Sequence, residues 1–208
     1  MNTSIRAVSA TLKEIILEHL KTDINLRAFF DPGSGGTMLV SLLAPEELAE
    51  RNEGVSIWLY RIVRDDQTLN YPPTRSARDR LLHEPLPLRL HYLIVPVVDV
   101  KTRQEASAEL EQNILGAVMQ VLYDHSCLRG VDFKGDLAGT SDEMHVRLES
   151  LDLDQTSRMW EALDHAFQLC TSYEVSVVPI DSARQPQPVA PVDVVLPTYA
   201  VITSAEET

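Results

Sequence analysis

The stretch that decides the fold lies between Gly54 and Val98, and its two ends read GVSIWLYRIVRDDQTLNYPPTR (residues 54–75) and EPLPLRLHYLIVPVV (residues 84–98). Residues 55–63 and 87–98 are rich in β-branched and aromatic side chains, which predicts two buried strands. Pro87 and Pro96 lack a backbone donor, so the second strand should lie partly at a sheet edge or carry a bulge. Because the stiff polar connector has no catalytic pattern, we expect these strands to display a contact loop rather than a reaction centre.

The rest of the chain adds helices and strands around this pair. Apolar residues at helical spacing predict helices over residues 4–20 and 103–123, a short helix from Pro45, and a last helix from residue 154 that Asp152 or Asp154 caps. Strand patterns occupy residues 37–43, 145–151 and 173–180. The predicted fold is α/β (α+β), with a single mixed β-sheet flanked by helices in a domain of residues 1–181.

Residues 182–208 form a predicted extended C-terminal arm. The arm begins with the proline-rich stretch SARQPQPVAP and continues with an apolar, β-prone segment at residues 192–202. Two interpretations stay open for that segment. It either folds back as a further strand of its own sheet or adds a strand to the sheet of a neighbouring chain.

Composition and charge exclude several classes of partner. The 208 residues carry 31 acidic and 18 basic side chains, a net charge of −13, which disfavours binding to nucleic acid and to anionic membranes. Charges at Arg6, Lys13, Glu14 and Glu18 interrupt any signal-peptide core, and no segment approaches the roughly 20 apolar residues that cross a bilayer. We therefore expect a cytoplasmic protein without direct membrane insertion.

The sequence contains no recognisable catalytic or metal-binding motif. The six histidines show no HExxH or zinc-finger spacing, GxSxG and GxGxxG are absent, and the two cysteines have no CxxC spacing. We predict no catalytic residue, no metal and no cofactor, and we interpret His91 as a hydrogen-bonded histidine of a strand. The alternative from another class of function is an enzyme, a metal-assisted hydrolase that uses His91 or His145 with nearby acids.

Several segments together resemble the cap, or tail-terminator, proteins of extracellular contractile injection systems of the antifeeding-prophage and Photorhabdus virulence cassette type. The segments that carry the resemblance are VSATL at residues 8–12, LYRI at 59–62, Asn70 with PTR at 73–75, PLRLHYL at 87–93, LGAVMQVL at 115–122, residues 151–160 with Leu163, and SYEVSVVPID at 172–181. The resemblance covers roughly residues 1 to 181.

The resemblance implies a structural protein without enzymatic activity. It implies a homohexameric ring that ends the inner tube, with the inner tube protein and the sheath protein as partners, in a cytoplasmic particle that cell lysis can release. A tail-completion or baseplate adaptor role in the same machinery is the alternative.

A ring needs surfaces where neighbouring subunits meet. The first candidate is the loop with Tyr71, Pro72, Pro73, Thr74 and Arg75. Further candidates are the arginines of a basic band that could join an acidic neighbour, and the apolar residues of the arm. These are Arg61, Arg64, Arg75, Arg78, Arg80 and Arg89 for the band, and Val192, Val194, Val195, Leu196, Tyr199 and Val201 for the arm. Scattered surface charge without a partner is the alternative interpretation of the arginines.

Overall fold

The computed structural model describes residues 3–66, 75–77, 79–98 and 104–190, which divide into two units. The first unit contains the described residues of 3–66, 85–98 and 104–182. The second contains the described residues of 75–84 and 183–190. Among the described residues, no helix is long and apolar enough to cross a bilayer.

The helices and strands largely follow the predicted order. The helices are α1 (Ser4–Thr22), α2 (Arg27–Phe30), α3 (Pro45–Ala49), α4 (Glu105–Asp124) and α5 (Leu153–Ala162). The strands are β1 (Leu39–Ser41), β2 (Gly54–Arg64), β3 (Arg75–Ala77), β4 (Arg80–Leu81), β5 (Leu86–Val97), β6 (Cys127–Arg129), β7 (Glu143–Glu149), β8 (Thr171–Ile180) and β9 (Gln187–Pro188). At the start of α5, Asp152 accepts a 2.7 Å hydrogen bond from the backbone N–H of Gln155, so Asp152 is the cap of that helix.

The first unit is built on a six-stranded sheet in the order β1-β2-β5-β8-β7-β6. Strands β1 and β2 are parallel, whereas every other neighbouring pair is antiparallel. Gly54 begins β2 with φ +146°, and a Cβ atom there would lie 1.8 Å from the carbonyl oxygen of Leu39 on β1. The predicted mixed sheet flanked by helices is therefore confirmed.

Strand β5 lies between β2 and β8, in the interior of the sheet. The prolines lie where the strand is paired on one side only, since the ladder with β2 ends at Leu88, before Pro87, and the ladder with β8 ends at Ile94, before Pro96. The register with β8 shifts between Leu88 and Arg89, but the extra residue is Val177 on β8. An edge position at the ends of β5 is therefore observed, whereas the bulge lies on the neighbouring strand and not on β5 as predicted.

The two faces of the sheet bury different helices. On one face, Leu90 and Tyr92 of β5 pack into the main core with Val8 of α1 and Val118 of α4. On the other face, Trp160 of α5 closes a smaller cluster. The main core also contains a buried polar contact, since the Ser9 Oγ lies 2.8 Å from the Tyr92 hydroxyl and joins α1 to the central strand.

The second unit is a three-stranded sheet in the order β3-β4-β9. Strand β9 belongs to the predicted arm, and its Gln187 and Pro188 pair antiparallel with Leu81 and Arg80 of β4. The backbone N–H of Val189 extends this pairing by donating a 2.8 Å hydrogen bond to the Asp79 carbonyl. The first part of the arm therefore forms a strand with residues of the same chain.

Candidate functional site

The predicted basic band has members in both units. In the first unit, Arg61 and Arg64 are exposed on the second half of β2. In the second unit, Arg75 and Arg80 are exposed on β3 and β4. The use of the band as a joint between subunits stays a prediction.

Arg89 has partners within its own chain. Its side chain is 29% exposed, and its Nη1 lies 3.5 Å from Glu174 Oε2 while its Nε lies 3.8 Å from Asp65 Oδ1. Because partly buried ion pairs are less screened than exposed ones, Arg89 fixes β5 to β8 and to the end of β2. Among the described arginines of the band, Arg89 is therefore the least exposed.

Other predicted contact residues lie outside the described residues. These are Tyr71, Pro72, Pro73, Thr74 and Arg78 of the connector, and Val192, Val194, Val195, Leu196, Tyr199 and Val201 of the arm. Their role in contacts between subunits stays a prediction.

A polar network occupies the face of β5, β7 and β8 that does not pack against α1. Glu149 Oε1 lies 2.9 Å from the Nδ1 of His91, and its Oε2 accepts hydrogen bonds from Ser172 Oγ at 2.6 Å and from the Tyr60 hydroxyl at 3.3 Å. Burial raises the pKa of Tyr60, so its hydroxyl stays protonated and donates. The interpretation of His91 as a hydrogen-bonded strand histidine is confirmed.

Within the part of the chain that the structure describes, two groups of side chains bring together atoms that could ligate a metal ion. His91, Glu149 and Glu174 form one group, and each offers a ligand atom within 4.8 Å of the others. Cys127, Glu143 and His145 form the second group by the same criterion. The sequence pointed to His145 with nearby acids but not to Cys127, because this cysteine lies on β6, a three-residue strand too short to leave a period-2 pattern.

The first unit also carries an apolar groove that the sequence analysis did not find. The groove has a volume of about 290 Å³ and lies between the C-terminal part of α4 and strands β7 and β8. Its rim includes Tyr123, which is 81% exposed, and Leu148, which is 50% exposed. Exposed apolar side chains around a concave surface are a common feature of contact sites between proteins, and the α4 periodicity alone could have flagged Tyr123.

Comparison with known proteins identifies the family of this chain. Residues 7–193 match the model of the Pvc16 N-terminal domain, which is most of the chain. The chain belongs to the Pvc16 N-terminal domain family. The match begins inside α1 and continues past residue 181 through β9, so part of the predicted arm is included in the family's domain. A sequence search of curated proteins returns no significant match.

Two solved structures share the fold of this member of the Pvc16 N-terminal domain family. One is the PVC sheath/tube terminator of an extracellular contractile injection system in its extended state, with a TM-score of 0.63 and 19% identity over 97% of this chain. The other is the anti-feeding prophage cap, an AFP tube terminating cap, with a TM-score of 0.59 and 16% identity over 92% of this chain. The matches cover 65% and 60% of those two proteins, so this chain spans less than two thirds of either.

Proposed function

We propose that this chain is a structural cap, or tail terminator, of a contractile injection particle. In this proposal it forms a hexameric ring that ends the inner tube and engages the distal end of the sheath, within a particle assembled in the cytoplasm. The observation that carries the proposal is the family match over residues 7–193. The fold shared with a sheath/tube terminator and a tube terminating cap across nearly the whole chain supports it.

The proposal assigns the chain no catalytic role. The polar groups that a metal-assisted hydrolase would use at His91 are engaged with one another, since Glu149 is bonded to His91, Ser172 and Tyr60. A hydrolase should lose its turnover in the His91→Ala variant. A structural cap should show no turnover to lose when purified protein is assayed on ester, phosphoester and peptide substrates.

Electrostatics sets a condition on ring formation. Six copies would carry 6 × (−13) = −78 charges, so their joints need local cations or screening by salt. Arg61 and Arg64 supply exposed positive charge on the first unit. We place them at a joint with an acidic neighbouring surface, where they would raise the rate and specificity of association.

Ring formation and capping are tested by two measurements. Mass photometry of the purified protein should detect a hexamer, and deletion of the gene should give tubes of unrestricted length. The Arg61→Glu/Arg64→Glu variant should reduce the hexamer fraction at physiological salt, whereas Arg6→Glu, on the exposed side of α1, should leave it unchanged. A protein that stays a single subunit on purified particles, or tubes of normal length without it, would contradict the cap.

The apolar part of the arm has its own test. Truncation after residue 190 keeps β9 paired with β4 and removes residues 191–208, which we propose to add a strand to a neighbouring sheath or cap subunit. The truncated protein should unfold at the same urea concentration as the full chain and should no longer co-purify with sheath. Truncated rings that still cap sheathed particles would show that the strand is not donated.

A further inference from the structure

The antiparallel ladder between β6 and β7 brings together a thiol, a carboxylate and an imidazole. Cys127 on β6 pairs directly with His145 on β7. Glu143 precedes His145 by two residues, and alternate residues of a strand project from the same face. The three side chains therefore share one face of the sheet at its β6 edge, although Cys127 and Glu143 are separated in sequence by a loop.

The distances within this group approach those of a zinc site. Glu143 Oε1 lies 3.2 Å from Cys127 Sγ and 3.8 Å from His145 Nε2, and the third pair of atoms is within 4.8 Å. Zinc–ligand bonds of about 2.0–2.3 Å at tetrahedral angles separate neighbouring ligand atoms by roughly 3.4–3.6 Å. Side-chain movements of about 1 Å would therefore bring all three atoms onto one ion.

Arg129 orients the carboxylate of this group. Arg129 holds Glu143 through its second oxygen, with Nε 3.2 Å from Oε2. Such outer contacts orient the ligands of metal sites. Oε1, the oxygen nearest both Cys127 and His145, also has Arg129 Nη2 at 3.4 Å, a long contact that an ion can replace.

We propose that Cys127, Glu143 and His145 form a binding site for zinc or a similar divalent transition metal. Binding replaces one proton: the S–H bond of Cys127 breaks, its sulfur keeps the electron pair and bonds to the ion, and the proton leaves to solvent. The side chains of Glu143 and His145 are 44% and 40% exposed, so solvent can supply the remaining ligand. The site does not depend on the proposed cap function.

The second group of candidate ligands serves as an internal comparison. In the group of His91, Glu149 and Glu174, Glu174 is paired with Arg89, and Glu149 already accepts several hydrogen bonds. Glu143 is likewise paired with an arginine, Arg129, so what distinguishes the two groups is the thiol, which only the group of Cys127 offers. We therefore assign the metal to the group that contains Cys127.

Cobalt(II) titration of the metal-free, reduced protein tests the assignment, because a cobalt–thiolate bond gives a near-ultraviolet charge-transfer band. We expect this band to saturate at one ion per chain. Isothermal calorimetry with zinc should show affinity at least tenfold lower in the Cys127→Ala and His145→Ala variants, since each removes a ligand. Matched controls are Cys170→Ala, which removes the other thiol, and His165→Ala, which removes a histidine of similar exposure, 42%. Both should bind as the parent does.

Three results would overturn the proposal. The first is the absence of a charge-transfer band at saturating cobalt. The second is zinc affinity within twofold of the parent in both ligand variants, provided that their urea midpoints match the parent. The third is zinc binding that His91→Ala abolishes while Cys127→Ala leaves it intact, because that would place the ion in the other group.

Discussion

The contact between Ser9 and Tyr92 gives a quantitative test of how α1 is fixed to the sheet. The Ser9 hydroxyl donates to the carbonyl of Ile5 at 3.1 Å, so the Tyr92 hydroxyl, 2.8 Å from the Ser9 oxygen, is the donor of the buried bond. The Ser9→Ala variant leaves that donor without its acceptor, which costs about 1–3 kcal/mol. Alanine has a better helix propensity than serine, which offsets about 0.5 kcal/mol of this loss of stability.

The Tyr92→Phe variant should be milder. Ser9 keeps its bond to Ile5, so only the net value of one hydrogen bond is lost, about 0.5–1.5 kcal/mol. In the double variant both partners are apolar and close to their original shape, and no donor is stranded. We therefore expect the double variant to lose less stability than the sum of the single variants, with a coupling energy of about 1 kcal/mol.

Urea denaturation followed by tryptophan fluorescence measures all four proteins of this cycle. The midpoints should shift while the dependence on urea stays constant, because the amount of surface exposed on unfolding is unchanged. If the two losses add to within about 0.3 kcal/mol, the hydroxyls do not interact and α1 is held by apolar packing alone.

Three further predictions follow from burial and backbone geometry. Burial raises the pKa of Tyr92, so its contribution to stability is complete below about pH 10 and is lost as the pH rises towards the folded-state pKa, by up to about 1.4 kcal/mol per pH unit. Alkaline urea titrations should therefore show a shallower loss of stability in Tyr92→Phe than in the parent protein. Gly54→Ala should cost about 2 kcal/mol or more, because its Cβ would collide with the Leu39 carbonyl at a positive φ. The same substitution at Gly116, which is exposed within α4 and has no atom within 4 Å of its added Cβ, should stabilise by up to about 1 kcal/mol. Thermal melts of the two glycine variants should move in opposite directions, and shifts of the same sign would contradict this account.

The elements with strong local patterns were predictable from the sequence. Strands β2 and β5 begin and end within about one residue of their apolar runs. Burial on both faces of the sheet accounts for the continuous apolar sequence of β5 and of residues 54–57 of β2, whereas the second half of β2 is more exposed. The α5 cap was predictable as one of two aspartates, and only the geometry selects Asp152. The short elements α2 and β6 were missed because three or four residues carry too little periodicity.

The strand pairings between distant parts of the chain could not be predicted from the sequence. The proline-rich start of the arm was not predicted to pair, and the structure shows β9 on β4 through two residues that carry no strand pattern. Cys127 and His145 become neighbours only through the β6–β7 register, which has no local signature in either segment. The interior position of β5 likewise depended on bulges that adjust its register to β2 and β8.

The pairing of β9 with β4 has a mechanical consequence for a chain whose arm follows β8. Tension applied beyond residue 190 reaches the two-residue ladder between β9 and β4 before it reaches the ten-residue strand β8. We expect the short ladder to break first, so that the released segment lengthens the tether between an attached partner and the six-stranded sheet. Strand β9 would then detach under load before the core unfolds.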